Sequence, residues 1–367
     1  MDNIYTKLGL QRIINGNGRM TYLGVSTFSE GVAKAFLESA QNYVIVDELM
    51  DILGKKISQF TKAEDTCITA SASSGIVISV AGMIAKDNLD LIEKLPNSKE
   101  LKNQVIIPKG HSVNYGAPIA TMIALGGGEL VEVGQANLVK KEHIINNINE
   151  NTCALFYVKS HHCVQKGMPS ILEMVEIAKE YNLPLILDAA AEEDLQKYIK
   201  MGVDLVIYSG AKALQGPTSG FITGRADLIK LCKAQYKGIG RAMKVSKETM
   251  SALYQAIVEY VDFDHQALGV SQKETIKYIQ ENIQNIPYIS TSIEQDEAGR
   301  EIYRLKIKIS YSSPKNAIQI VQELKKGDIA IHTRDHFANV GYFYIDPRGL
   351  IKGDKEVIVD KLKNIFK

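Results

Sequence analysis

Residues 203–224 read VDLVIYSGAKALQGPTSGFITG, and the fold is decided there. An apolar run at 205–208 ends in the tetrad Ser209-Gly210-Ala211-Lys212. Gly216 and Pro217 then turn the chain, and Gly220 opens a second apolar run over 220–223, which predicts a strand running the other way. Working outward, short apolar runs recur at 67–69, 104–107, 130–133, 153–158 and 183–188. Between them, apolar residues spaced three and four apart predict helices over 76–86, near 117 and over 171–181, and another over VIVDELMDILGKKISQFTK from about residue 41. Strands that are apolar throughout, each followed by a helix, predict an α/β fold with a mainly parallel sheet buried on both faces. Ligands of such sheets bind beyond the carboxyl ends of the strands. The polar clusters of this chain fall there, at 69–75, 110–116, 160–165, 188 and 209–212.

The pattern changes past residue 245. Two long helices (ETMSALYQAIVEYV, ETIKYIQENIQNI) precede strands over 302–311, 330–332 and 341–345, with helices around 315–326 and 355–366. We divide the chain into a segment 1–40 that contributes to the substrate site, a large domain 41–250 and a small α+β domain 251–367. Asn15-Gly16-Asn17-Gly18-Arg19 reads as an irregular loop, because glycines beside asparagines allow positive φ.

Of the 367 residues, 45% are hydrophobic and 23% charged, and the net charge is +1. Mixed charge without a basic field argues against a nucleic-acid partner. Four scattered cysteines (Cys67, Cys153, Cys163, Cys232) suit reduced thiols in a cytoplasmic protein rather than zinc or a disulfide framework. No signal-peptide pattern and no apolar run of about 20 residues is present, so no membrane association is expected.

Lys212 stands at the mouth of a buried sheet, where desolvation lowers an amine's pKa and makes it a nucleophile toward an aldehyde. A plain solvated lysine on a surface turn is the competing reading. The Ser-x-x-Lys spacing of penicillin-binding enzymes is another, but their S-D-N and K-T-G motifs are missing here. Asp188 ends the apolar run of LPLILDAAAEEDL, 24 residues before Lys212. It either caps a following helix or faces a ligand cation. An acid and an amine on consecutive strand ends suit pyridoxal 5′-phosphate, whose pyridine nitrogen needs a carboxylate to stay protonated. Ser73, Ser74 and Gly75, between a strand and an apolar helix, offer hydroxyls and backbone N–H groups to a phosphate, and Ser209 can donate to the same group. His111 in PKGHSVNYGAPI is the expected ring to stack on the cofactor, with Tyr115 as the alternative. His161, His162 and Gln165 follow another strand, where they can meet the ring hydroxyl or the substrate; no acid or thiol is spaced to make them a zinc site. Arg334 is a candidate clamp for a substrate carboxylate. Arg241, in a glycine-flanked basic loop, can meet phosphate across a subunit boundary.

These segments, in this order, resemble the fold-type I, aspartate aminotransferase-like enzymes that use pyridoxal phosphate. The chain is similar to the group around bacterial selenocysteine synthase, and within it to the ammonia-lyases. The likeness rests on RIINGNGRMTYLG (12–24), TASASSGI (69–76), KGHSVNYGAP (109–118), SHHCVQKGMPS (160–170), LILDAAAEEDL (185–195), YSGAKALQGPTSG (208–220), GIGRAMKVSKE (238–248) and DPRGL (346–350). It implies a Schiff base on Lys212, Asp188 against the pyridinium, Ser73, Ser74, Gly75 and Ser209 on the phosphate, and His111 on the ring. Asn17 and Arg19 then face the substrate, and sites lie between subunits of a homodimer or larger homo-oligomer. The implied activity is a carbon–nitrogen lyase that eliminates the β-hydroxyl and then ammonia from an amino-sugar acid such as D-glucosaminate 6-phosphate, giving a 2-keto-3-deoxy acid. Aldol cleavage, β-elimination or racemisation of another hydroxy-amino acid would use the same residues. Transfer on an aminoacyl-tRNA is disfavoured, because the recognisable core starts almost at residue 1.

Overall fold

The computed structural model describes residues 3–160, 163–295 and 302–367. Its strands, in chain order, are β1 (Arg12–Gly16), β2 (Asp65–Thr69), β3 (Gln104–Pro108), β4 (Glu129–Val133), β5 (Thr152–Val158) and β6 (Leu185–Asp188). Then come β7 (Leu205–Ser209), β8 (Gly220–Gly224), β9 (Ile289–Gln295), β10 (Tyr303–Ile309), β11 (Ile329–Thr333) and β12 (Tyr342–Ile345). The chain forms two compact units, 27–262 and 1–26 with 263–367. These boundaries differ from those at 40 and 250. The helix Glu30–Ala40, unforeseen from sequence, packs its Val32 against Ala252 and Ala256 of the helix Lys247–Asp262, which keeps both helices in the large unit.

The large unit carries a seven-stranded sheet in the order β2-β8-β7-β6-β5-β3-β4. β8 pairs antiparallel with both β2 and β7, and the remaining pairs are parallel. The α/β class and the reversed strand over 220–223 are both as expected. Side chains divide by parity between the two faces. Leu155 and Tyr157 of β5, Leu185 and Leu187 of β6 and Val206 and Tyr208 of β7 enter one core. Ala154, Phe156 and Val158, then Ile186, then Leu205 and Ile207 enter the other, beside Ile76 and Val80 of the helix Ala72–Ala85. Asp188 shares the parity of Ile186, so its carboxylate belongs to the side of that helix.

In the small unit, β12-β10-β9 form an antiparallel sheet and β1 pairs parallel with β11. Asn15 and Gly16 are therefore strand residues, opposite His332 and Thr333, and the irregular segment begins only at Asn17. Asp346, fully buried, holds Arg304 Nε at 2.9 Å and Arg348 Nη2 at 2.7 Å. Burial alone would raise this carboxyl; the guanidinium groups of Arg348 and Arg304 outweigh that and hold it at about 2. The folded value lies below the ordinary 3.8, so the stabilisation is present above about pH 4 and fades as pH falls toward 2. It amounts to about 2 kcal/mol. Asp346→Ala removes the buried carboxylate that the Arg304 and Arg348 guanidinium groups share and is expected to cost about 3–5 kcal/mol. Urea unfolding at pH 7 measures it; an unchanged midpoint would show the pairs to be dispensable.

Candidate active site

Thr69, Gly220, Ser209, Asp188 and Val158 end or open neighbouring strands at one edge of the large sheet. The site is built on that edge. After β7 the chain makes a turn fastened at both ends: Gly210 N–H donates to Ser219 O at 2.9 Å and Gly216 N–H to Gly210 O at 2.8 Å. Lys212 lies half-buried in this turn. Asp188, 8% exposed, accepts Ala190 N–H at 3.0 Å. Burial raises its pKa, and both the Ala190 N–H and the charge of Lys212 oppose the rise. The charge of Lys212 is thus felt at the Asp188 carboxyl.

The helix Ala72–Ala85 begins at the same edge. Ser71 caps it: its hydroxyl accepts Ser74 N–H, and Ser74 Oγ accepts Ser71 N–H. Ser74 Oγ also donates to Ser71 O, and Gly75 N–H donates to the same carbonyl. The Ser74 hydroxyl and the Gly75 N–H are thus already engaged, which corrects their assignment to a phosphate. Gly75 serves packing: a Cβ there would come within 2.9 Å of Ile207 Cγ2. The N–H groups of Ala72 and Ser73 find no acceptor among the described residues. They are the donors that a helix N-terminus presents to an anion. Gly220 touches this corner, since a Cβ on it would lie 2.6 Å from Ala72 N. Gly220→Ala is expected to displace the helix start and weaken cofactor affinity by about tenfold or more, on the scale of a lost charge-assisted hydrogen bond. Fluorescence titration of apoprotein with pyridoxal phosphate measures it, and wild-type affinity in the variant would show that the corner holds no phosphate.

His111 does not stand where a stacking ring would. It is fully buried, its Nε2 donates to Val164 O at 3.1 Å, and its Nδ1 accepts Val158 N–H at 3.4 Å. Its ring meets Tyr157 edge-on at 4.2 Å, on the parity of the opposite core. Burial first, then the charge of Lys159, brings its pKa down to about 4. No ring face is open, so His111 is a neutral structural brace rather than a stacking partner. Tyr115 instead packs with the core on the Asp188 side. Its hydroxyl is buried without a well-formed partner, and Ser73 and Asp188 are the polar groups that act on it. Cys163, unforeseen in this setting, also feels Asp188; burial above all pushes its thiol up to about 12.

The other predicted residues divide. Gln165 Oε1 accepts Lys159 Nζ at 2.8 Å and its Nε2 donates to Ser160 O, so both ends of its amide are occupied within its own loop. Arg241 is exposed in a short turn, Ile239–Met243. His161 and His162 lie outside the described residues. Asn17, Arg19 and Arg334 belong to the small unit. Arg334 exchanges backbone hydrogen bonds with Tyr344 at 2.9 Å, and Asn17, 6% exposed, donates to Tyr22 Oη at 2.7 Å.

A buried carboxylate, a lysine that senses it, vacant helix N-terminal donors and an aromatic ring are a donor set that fits pyridoxal phosphate. The chain is 45% identical over 364 residues to a D-glucosaminate-6-phosphate ammonia lyase of Salmonella typhimurium, covering 99% of this chain and 98% of that one. It is 37% identical to a 5′-C-glycyluridine monooxygenase-decarboxylase of a Streptomyces species, covering 99% and 92%. A solved D-glucosaminate-6-phosphate ammonia-lyase superposes with a TM-score of 0.94 at 44% identity, covering 100% and 98%. Thermus thermophilus aspartate aminotransferase shares the fold at a TM-score of 0.53 and 14% identity, covering 98% and 93%. The family described as SelA, L-seryl-tRNA selenium transferase, matches residues 13–339, and the chain belongs to that family.

Proposed function

We propose that the protein is a pyridoxal phosphate-dependent ammonia-lyase acting on an amino-sugar acid, with D-glucosaminate 6-phosphate the leading substrate. The observation that carries this reading is the Asp188–Lys212 pair at adjacent strand ends beneath the helix start at Ala72. The cofactor, when bound, supplies an electron sink for the substrate's α-carbon. Asp188 would hold the proton on the pyridine nitrogen. The N–H groups of Ala72 and Ser73, with the hydroxyls of Ser73 and Ser209, would hold the phosphate. Tyr115 would cover the ring. Lys212 would accept the substrate's α-proton and return it to the departing β-hydroxyl, which leaves as water. Hydrolysis of the product then returns that water and yields ammonia and a 2-keto-3-deoxy acid. Arg19 and Arg334, both in the small unit, are proposed as anion-binding residues.

Incubation with D-glucosaminate 6-phosphate should release ammonia and 2-keto acid in equal amounts. A panel of hydroxy-amino acids run alongside separates aldol cleavage and racemisation. Turnover of those compounds and none of any amino-sugar acid would sink the substrate assignment.

We also infer self-association and a cytoplasmic setting. Tyr43, Val44, Ile45 and Val46 are consecutive, apolar and exposed, a run that a lone soluble subunit rarely leaves in water. Tyr43→Asp with Val46→Asp is expected to shift the mass in light scattering toward the monomer; an unchanged mass would place the subunit contact elsewhere. Four free, buried thiols suit a reducing compartment.

A further inference from the structure

The loop after β3 carries a buried hydroxyl that a ring-covering role for Tyr115 leaves unexplained. Residues 113–119 form a closed turn. Ile119 N–H donates to Val113 O at 3.0 Å, Tyr115 N–H donates to Ala117 O at 3.2 Å, and Asn114 Oδ1 accepts Gly116 N–H at 2.9 Å. The helix that follows, Ile119–Leu125, lies against the helix Ala72–Ala85; a Cβ on Gly126 at its end would come within 2.6 Å of Val77 O. Tyr115 and Ala72 pack against the same core as Ile76 and Ile119. All of these residues belong to the large unit. The Tyr115 oxygen is shut off from water and has no hydrogen-bond partner among the described residues. Ser73, in the first turn of the helix Ala72–Ala85, acts on it without completing a bond, which places the hydroxyl at that helix start. A buried polar atom left unpaired costs about 1–3 kcal/mol, so this hydroxyl calls for a partner that the chain itself does not supply.

What the corner offers decides the partner. Burial raises the Tyr115 phenol above its ordinary 10.0; the Ser73 hydroxyl opposes the rise and the charge of Asp188 adds to it. The phenol therefore keeps its proton at neutral pH and has it to give. The N–H groups of Ala72 and Ser73 are donors too, and they find no acceptor among the described residues. Donors gathered at one corner suit a ligand group that only accepts, and a phosphate dianion is such a group. We infer that the Tyr115 hydroxyl donates to the cofactor's phosphate, beside the N–H groups of Ala72 and Ser73. The ring and the hydroxyl of Tyr115 then serve different parts of one ligand, the first covering the pyridine and the second holding the phosphate. The inference rests on the pyridoxal phosphate reading and adds to it a residue that tells the phosphorylated cofactor from the unphosphorylated one. A cofactor without the phosphate gains only the ring contact.

The test is titration of the full-length apoprotein with pyridoxal 5′-phosphate and, separately, with pyridoxal, which keeps the ring and the aldehyde but lacks the phosphate. Imine absorbance reads binding in both arms. Tyr115→Phe removes one oxygen and keeps the ring. It should weaken binding of pyridoxal phosphate about tenfold or more, the loss of one hydrogen bond to a charged group, and leave binding of pyridoxal unchanged. Tyr115→Ala, which also removes the ring, should weaken both. The melting temperature of the Tyr115→Phe apoprotein should not fall, because the substitution breaks no hydrogen bond within the chain. Equal affinity of Tyr115→Phe and wild type for pyridoxal phosphate, or an equal loss with both ligands, overturns the role of the hydroxyl and leaves the cofactor reading standing. Wild type that takes up no pyridoxal phosphate overturns the cofactor reading, and the inference with it.

Discussion

Lys212→Ala protein is expected to come off purification colourless and to release ammonia at least about 10³-fold more slowly than wild type, the scale of a lost proton-transfer group. In the proposed mechanism the substitution removes both the amine that would anchor the cofactor and the base that would take the α-proton. Lys212 is half-buried in a closed turn, so trimming its side chain leaves the Gly210–Ser219 and Gly216–Gly210 bonds in place. The melting temperature should move little, and the absorbance of a protonated imine near the visible edge should vanish. A mutant as yellow as wild type would transfer the anchoring role to another amine. Lys159 is the one to examine next, because it too follows a strand end and is half-buried.

Asp188→Asn should retain bound cofactor and lose about 10²–10³-fold in kcat, as when one preorganised electrostatic partner is removed. The amide keeps the shape and can still accept Ala190 N–H, but it cannot hold a pyridinium proton. Burial already raises the Asp188 carboxyl, so the charged form depends on nearby cations. A bound pyridinium adds a second cation to that of Lys212 and stabilises the carboxylate further. The pH dependence of the cofactor's absorbance should therefore change between wild type and Asp188→Asn. Unchanged kcat and an unchanged spectrum would place the ring elsewhere.

The sheet was legible because strands buried on both faces read as unbroken apolar runs. Leu205–Ser209 and Gly220–Gly224 emerged with their relative direction from glycine and proline placement alone. β1 was not legible. RIING is short, ends in residues that suit a loop, and pairs with β11 more than 300 residues away, so nothing local marks it as a strand. The placement of Asp188 and Lys212 at one end of the sheet could be read because the first closes an apolar run and the second follows one by a few residues. His111 and Tyr115 could not be told apart, because which one faces Asp188 depends on the path of the turn after β3, and spacing along a turn does not fix side-chain direction. At Ser71-Ala72-Ser73-Ser74 the signal was present: a serine three residues before another at a helix start is the spacing of a reciprocal cap. It shows why Ser74 is spent on the helix while Ser73 stays available.

The turn that carries Lys212 is hemmed in at both ends, its outgoing residue laddered to β2 and β7 through Gly220 and its incoming residue ending β7. Any travel of the amine must then come from rotation about its own four-carbon stem, while the peptide beneath it stays put. One extra residue between Gly210 and Ser219 would shift the attachment point against a fixed frame, so natural variation in length should be excluded from this decade of the chain and displaced to the connections on the far edge of the sheet.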